Sequence, residues 1–394
     1  MSAFKALRLT ALDTLFFRES RPFDAIGGSE LASVFPPPPR TVLGALRSAI
    51  GDALGADWRQ FQSDTKYAPN GERLRDLIGY SDDLGKLSLG GIWLSLDGER
   101  LYPAPLFMLH RKEKDEAHFG RLHIGAAVLT NVGNVRLPEA PDRKHGYKPF
   151  EGTWLTCTGL EKVLRGDTPS NDDLRKQKDL FAKEPRLGIA RDNRTRTAQD
   201  NLLYQSCHVR PRVGLSIEVD INVTDMDMDM YIENRIVRLG AEGRMADISI
   251  ELEMKMPAKP QVVEGDTQGL ILVLLTPARF ENNLGNWLPQ SFVVNTLNGA
   301  VVWKGTINGI HLTLHAAALG KAQREGGWDM AQKKPRDVQS LIPPGSSYYC
   351  TVDNGNTDAA IHALHGKQIG EDQKFGRGVI VCGLWRNEYF GEKA

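Results

Sequence analysis

Four cysteines in 394 residues, Cys157, Cys207, Cys350 and Cys382, lie far apart, and no two are spaced as Cys-x-x-Cys. This argues against a cysteine zinc site and supplies no disulfide framework, so reduced thiols in a cytoplasm are the expectation. A surplus of one charge is missing too: 49 Lys and Arg face 49 Asp and Glu. A chain that holds nucleic acid by itself usually carries a basic surplus, so any basic surface here must be local. Long apolar runs are absent. The longest, residues 269–275, suits a buried strand and falls far short of the ~18 residues a membrane helix needs. No secretory signal and no membrane contact are expected. Phosphate-loop, nucleophile-elbow and His-Glu-x-x-His signatures are also missing. Asp225, Asp227 and Asp229 alternate with methionines, but a calcium loop would need Gly and Glu where Met230 and Ile236 stand. An acidic strand face is the expected reading, with no metal and no cofactor.

What is present is an ordinary globular composition, 41% hydrophobic and 25% charged, in a chain long enough for two domains. A first strand is expected over residues 4–12. After the stiff Phe35-Pro36-Pro37-Pro38-Pro39, a helix starts near Arg40. Val42, Leu43, Leu46, Ile50, Ala53 and Leu54 form one stripe on it, and Gly55 stops it. Arg40 and Arg47, seven residues apart, flank that stripe on one side. Strands over 87–96 and 100–109 join at the turn Asp97-Gly98. Residues 111–116 read as a solvated loop, 138–149 as irregular, and 170–183 as a short helix. Further strands are expected over 212–223, 248–254, 268–275, 301–314 and 348–352, with a helix over 358–364 and an apolar run over 379–384. This order gives an α+β chain of antiparallel sheets.

Local charge is concentrated in one place. Arg186, Arg191, Arg194, Arg196, Arg210 and Arg212 stand against Asp192 and Asp200, with Tyr204 between the arginine groups. Such a segment can follow a phosphate backbone, with Tyr204 stacking on a base. It can equally be a solvated loop with surface ion pairs. Two glycine loops, 240–243 and 376–378, put Arg244 and Arg377 beside backbone N–H groups that can hold phosphate. Each can also be a plain turn. The histidine pairs His311/His315 and His362/His365 read as structural.

Taken together, FFRESRPF (16–23), FPPPPRTVLGALRSAIG (35–51), GIARDNRTRTAQDNLLYQ (188–205), LGAEGR (239–244), LLTPARF (274–280), GGWDMAQKKPR (326–336), LIPPGSSYY (341–349) and KFGRG (374–378) resemble a known family in its own order. That family is the third subunit of the Cmr complex, the type III-B CRISPR effector, within the RAMP superfamily. Residues 110–148 match no block, and Ala241 stands where the family more often has Gly.

The resemblance implies two ferredoxin-like (RRM-like) domains, over 1–205 with an arm near 190–205, and over 206–394. It implies no catalysis. It also implies a grip on the 5′ handle of the guide RNA, with the large polymerase-like subunit and the backbone RAMP subunit as partners. Joined to the basic and glycine-rich segments, it makes Arg18, Arg21, Arg40, Arg47, Arg191, Arg194, Arg196, Tyr204, Arg210, Gly240, Gly243, Arg244, Lys374, Gly376 and Arg377 the expected RNA contacts. A guide-processing endoribonuclease is the enzyme alternative, with His208 and His123 as nearest acid/base candidates. A protein scaffold with ion-paired arginines is the third reading.

Overall fold

In the computed structural model, residues 4–19, 30–63, 66–68, 71–113, 116–141, 146–192, 194–224, 229–232, 235–251, 256–263, 265 and 267–386 are described. The chain divides into two units. Unit 1 gathers Met1–Arg100, Gln177–Met254 and Arg324–Ser340; unit 2 gathers Leu101–Lys176, Lys255–Gln323 and Leu341–Ala394. This differs from a cut between residues 205 and 206, which would fall inside the strand Ala198–Pro211. Pairing of strands far apart in sequence, not chain order, defines each unit.

The elements of unit 1 that carry the argument are β1 (Lys5–Ala11), α1 (Pro39–Ala53), β2 (Leu87–Leu96), β3 (Phe181–Arg191), β4 (Ala198–Pro211), β5 (Leu215–Val223), α2 (Asp229–Ile232), β6 (Arg235–Arg238) and β7 (Met245–Glu251). Five of them form an antiparallel sheet in the order β2-β5-β1-β7-β6. Strand alternation sends Leu7, Leu9, Ile217, Val219 and Ile248 to one face. Helix α1 starts with a proline in its first turn, as the polyproline entry demands, and buries Val42, Leu43, Leu46 and Ile50. It packs against α2 and β6.

The opposite face of β5 holds Glu218 and Asp220. Arg100, 1% exposed, donates to Glu218 at 2.8 Å and to both oxygens of Asp220 at 2.7 and 3.0 Å; the Trp93 indole adds a bond at 2.7 Å. Buried charges persist only when paired this fully.

In unit 2 the corresponding elements are β8 (Thr267–Leu274), β9 (Ala300–Ile307), β10 (Ile310–Ala318), β11 (Ser347–Val352), α3 (Thr357–Leu364) and β12 (Ile380–Arg386). Their order is β12-β8-β11-β10-β9, all antiparallel. Helix α3 is capped by the Asn356 side chain, which accepts the Ala359 N–H at 3.0 Å. It buries Ile361 and Leu364 against Leu270, Leu272 and Leu274 of β8. Phe280, Leu288 and Phe292, from the stretch that follows β8, complete this core. Each such side chain contributes about 1.5–3 kcal/mol by leaving water.

Several local expectations are corrected. The segment expected as a loop over 111–116 falls in a ladder between Met108–Glu113 and Glu116–Arg121, because backbone pairing uses N–H and C=O groups that charged residues carry as well as apolar ones; residues 114 and 115 lie outside the described residues. The strand expected over 301–314 is the β9–β10 hairpin, turning at Asn308 and Gly309, both with positive φ. The helix expected over 170–183 is a short turn at Asn171–Asp173, a strand at Leu174–Lys176 and one helical turn at Gln177–Leu180. There the Asp173 carboxylate is drawn to Lys162 at 2.8 Å and to the Ser170 N–H at 2.7 Å, and the chain passes into the strands. Asp229 opens the helical turn α2, and residues 225–228 lie outside the described residues. Among the described residues, no helix is long and apolar enough to cross a membrane.

Candidate nucleic-acid interface

The basic segment folds as an antiparallel hairpin, β3 with β4, paired from Phe181↔Pro211 to Arg191↔Ala198. The arm expected near 190–205 falls within this hairpin, which is called the arm below. Its turn is organised by Asp192, whose carboxylate accepts the Arg194 N–H at 2.7 Å and the Thr195 N–H at 3.3 Å, while the Arg196 N–H donates to the Asp192 carbonyl at 2.8 Å. Arg196 takes a positive φ of 61° to close the turn. Arg194 and Arg196 are exposed there, and their guanidinium groups meet no carboxylate among the described residues. The side chains of Arg191 and Tyr204, and all of Arg21, lie outside the described residues.

At the root of the arm the arginines are occupied. Strand alternation puts Glu184, Arg186, His208 and Arg210 on one face. Arg186 donates to Glu184 at 2.6 Å, and Arg210 also bonds Glu184. These two guanidiniums hold the Glu184 carboxyl down at about 2. Asp13, just after β1, receives Arg210 at 3.2 Å and Arg244 at 3.1 Å, with Arg186 at 3.6 Å. Burial acts to raise the Asp13 pKa, but the Thr14 amide, Arg210 and Arg186 outweigh it and hold the carboxyl below its usual range.

His208 is 0% exposed. Its Nε2 lies 3.0 Å from Glu242, its Nδ1 3.2 Å from the Thr14 hydroxyl, and its ring stacks on Phe16 at 4.9 Å. Burial pushes the imidazole pKa down, further than Glu242 lifts it.

The glycine loop of residues 239–244 closes this corner. Gly240, with φ of 95°, fits because a Cβ there would stand 2.5 Å from the Phe16 carbonyl oxygen. The Ala241 N–H donates to that same oxygen at 2.8 Å, so Ala241 serves through its backbone. Gly243, with φ of 66°, faces open space. The structure therefore brings together Arg210, Gly240, Gly243 and Arg244.

The other expected contacts lie elsewhere. Arg40 pairs with Asp82. Arg47 donates to the carbonyls of Ile78 at 2.7 Å, Ser81 at 3.0 Å and Asp83, finishing the helix Leu74–Ile78; burial pulls its pKa down to about 10. Arg18 is exposed beside a bridge to Ser33. In unit 2, Lys374 is exposed and Gly376 takes a φ of 73°. Arg377 is 1% exposed and bonds Asp372 at 3.2 Å, which Arg279 also holds at 2.9 Å.

Sequence analysis did not single out Asp13, Glu184 or Glu242, and it named Arg186 only within the basic segment and His208 only as an acid/base candidate, not as members of one corner. The two-residue period of 184/186 and 208/210 carried the signal, but only the hairpin register aligns the two pairs. Among the described residues, no group of three or more His, Cys, Asp or Glu side chains could hold a metal ion.

Comparison with known proteins adds three likenesses. A chain of the type III-B Cmr-beta complex bound to cognate target RNA is 17% identical, with 88% of this chain and 86% of that chain covered and a TM-score of 0.46. A chain of the Csm3-Csm4 subcomplex of the type III-A interference complex is 9% identical over 88% and 92%, with a TM-score of 0.38. A chain of the Csm1-Csm4 cassette in complex with AMPPNP is 13% identical over 89% and 98%, with a TM-score of 0.33. No curated relative matches the sequence. Residues 7–385 match the family described as CRISPR-associated protein (Cas_Cmr3), which takes in nearly all of both units, and the chain therefore belongs to that family.

Proposed function

We propose that this protein holds the 5′ handle of a guide RNA within a type III-B CRISPR effector, links the large polymerase-like subunit to the backbone RAMP subunit, and catalyses nothing itself. The observation that carries the reading is the arm: two exposed arginines at its turn that meet no carboxylate among the described residues, on a hairpin whose root is fixed by ion pairs. Guanidinium groups held this way suit phosphate oxygens, which give affinity without reading sequence.

Each unit supports the ferredoxin-like reading through its strand order. The central run is β7-β1-β5-β2 in one and β12-β8-β11-β10 in the other, with the first strand between the fourth and third. Unit 1 carries α1 and α2 at the two crossings. Unit 2 carries α3 at the second, while the described stretch between β8 and β9 has no helix and fills its place with Phe280, Leu288 and Phe292.

The endoribonuclease alternative is disfavoured by His208. A general acid or base must reach the proton it moves, and this ring is buried with both nitrogens engaged. The test is to assemble the complex with Arg194→Ala and Arg196→Ala together and follow guide retention across a salt series. Weaker retention is expected, with a salt slope lower by about 0.7 per lost contact. Wild-type retention and slope in a folded variant would remove these arginines from the interface. Single-turnover cleavage of repeat RNA that disappears in His208→Ala would reinstate the enzyme.

A further inference from the structure

Three guanidinium groups converge on one carboxylate at the root of the arm. Arg186 comes from β3, Arg210 from β4 and Arg244 from the end of the glycine loop; they stand 3.6, 3.2 and 3.1 Å from the oxygens of Asp13. A structural ion pair needs one cation. Glu184 takes the shorter bonds of Arg186 and Arg210, and Glu242 stands 3.9 Å from Arg244, but Asp13 alone is reached from all three elements, which makes its place the oxyanion position of the cluster.

The anion in that place is not locked in. Asp13 lies on a bend outside the β1 ladder, and its side chain is 50% exposed, so it can turn into solvent without breaking a strand. Arg244 is not saturated either: its buried Nε has no hydrogen-bond partner among the described residues. Gly243, next to Arg244, borders open space: a Cβ there would meet nothing within 4 Å. Glu184 and Glu242 hold the arginines from the side.

We infer that Arg186, Arg210 and Arg244 form a phosphate cradle that Asp13 occupies in the unbound chain, and that a phosphodiester of the RNA backbone displaces the Asp13 carboxylate. This deepens the RNA-binding reading and rests on it. Carboxylate and phosphodiester each carry one negative charge, so the exchange leaves the charge of the cradle unchanged. The tethered carboxylate competes at a high effective concentration, which an isolated phosphate group does not match. A strand that also engages Arg194 and Arg196 gains a second contact and prevails. Asp13 thereby keeps the isolated chain from binding RNA indiscriminately.

The experiment titrates labelled single-stranded RNA into the full chain over a salt series. It compares wild type, Asp13→Asn, Asp13→Glu, Arg194→Ala/Arg196→Ala, and Asp358→Asn as a charge control on unit 2. Melting curves verify folding. Asp13→Asn should bind several-fold more tightly, with a salt slope steeper by about 0.7 for each phosphate gained. Asp13→Glu should resemble wild type, and Asp358→Asn should change little. Adding Arg210→Ala and Arg244→Ala to Asp13→Asn should abolish the gain. Equal tightening by Asp358→Asn would reduce the effect to net charge and overturn the cradle. Unchanged affinity in Asp13→Asn would also overturn it, and the arm-turn variant then tells which idea failed. If that variant still weakens binding, the RNA reading stands without the cradle; if no variant binds RNA at all, both fall.

Discussion

The two units carry the same loop in the same place and use it differently. In unit 1 the glycine loop precedes β7 and rests on the stretch after β1, where the Ala241 N–H meets the Phe16 carbonyl. In unit 2 the loop precedes β12 and rests on the stretch after β8: the Gly378 N–H donates to Pro277 at 3.0 Å and the Glu371 N–H to Arg279 at 2.8 Å. Each loop carries an arginine paired with aspartate. Arg377 is 1% exposed and Arg244 is 20% exposed. One loop has become a strut, and the other remains an open corner. Equal glycine and arginine content therefore does not mean equal function; what decides is whether the guanidinium faces the core or the solvent.

The largest expected difference is steric. Gly378 has a φ of 72°, and a Cβ there would lie 1.9 Å from the Ile369 carbonyl oxygen. Gly378→Ala should destabilise unit 2 by roughly 3 kcal/mol or more, combining left-handed strain with overpacking. Gly243→Ala, in open space, should cost about 1 kcal/mol from its backbone alone. Urea unfolding of both variants measures this, and equal losses would erase the distinction between strut and corner.

A pH titration sharpens it next. In unit 2, burial, with Arg136 second, holds His315 down at about 4; the ring bonds the Thr351 hydroxyl at 2.9 Å. The unfolded chain protonates near 6.5. Between those values the unfolded state binds the extra proton, so stability falls as pH drops from about 6.5 towards 4 and then levels, a loss of at most roughly 3 kcal/mol. In unit 1 His208 carries the same sign, offset in part by Glu242. The Glu184 pairs behave differently, keeping their contribution above pH 4.5 and losing it as pH falls through about 2. Denaturant midpoints from pH 7 to 4 should slope steeply in wild type and flatten in His315→Gln. Parallel slopes would reject this assignment.

The smallest effect separates the arginines. Arg377→Ala strips a buried partner from Asp372, though Arg279 remains, and should cost roughly 2 kcal/mol. Arg244→Ala removes a partly exposed pair and should cost under about 1 kcal/mol. In the assembled complex the order should invert: Arg244→Ala lowers the salt slope of guide retention and Arg377→Ala leaves it unchanged. A reduced slope in Arg377→Ala would return the unit 2 loop to the interface.

Much of the fold was legible in the residues. The stripe from Val42 to Ile50, with proline before it and glycine after it, specified α1 because helical period and capping are local. The strands 87–96 and 348–352 declared themselves by β-rich runs between turns. Less legible were segments where charge mimicked a loop, as at 111–116, or where a capping box opened one turn and no more, as at Ser170.

Sequence alone determined the α+β class, the family blocks and their order, and the concentration of arginine between residues 185 and 212, since composition, local period and motif order are properties of neighbours along the chain. Only the tertiary structure decided which arginines are open. Arg47 finishing a helix, Arg377 turned into the core, Arg210 and Arg244 sharing Asp13, and Arg194 with Arg196 left exposed all follow from contacts between residues up to 231 positions apart. A guanidinium takes whichever carboxylate or carbonyl the fold brings within about 3 Å, and for Arg47, Arg210 and Arg244 that partner lies far outside any local window of sequence.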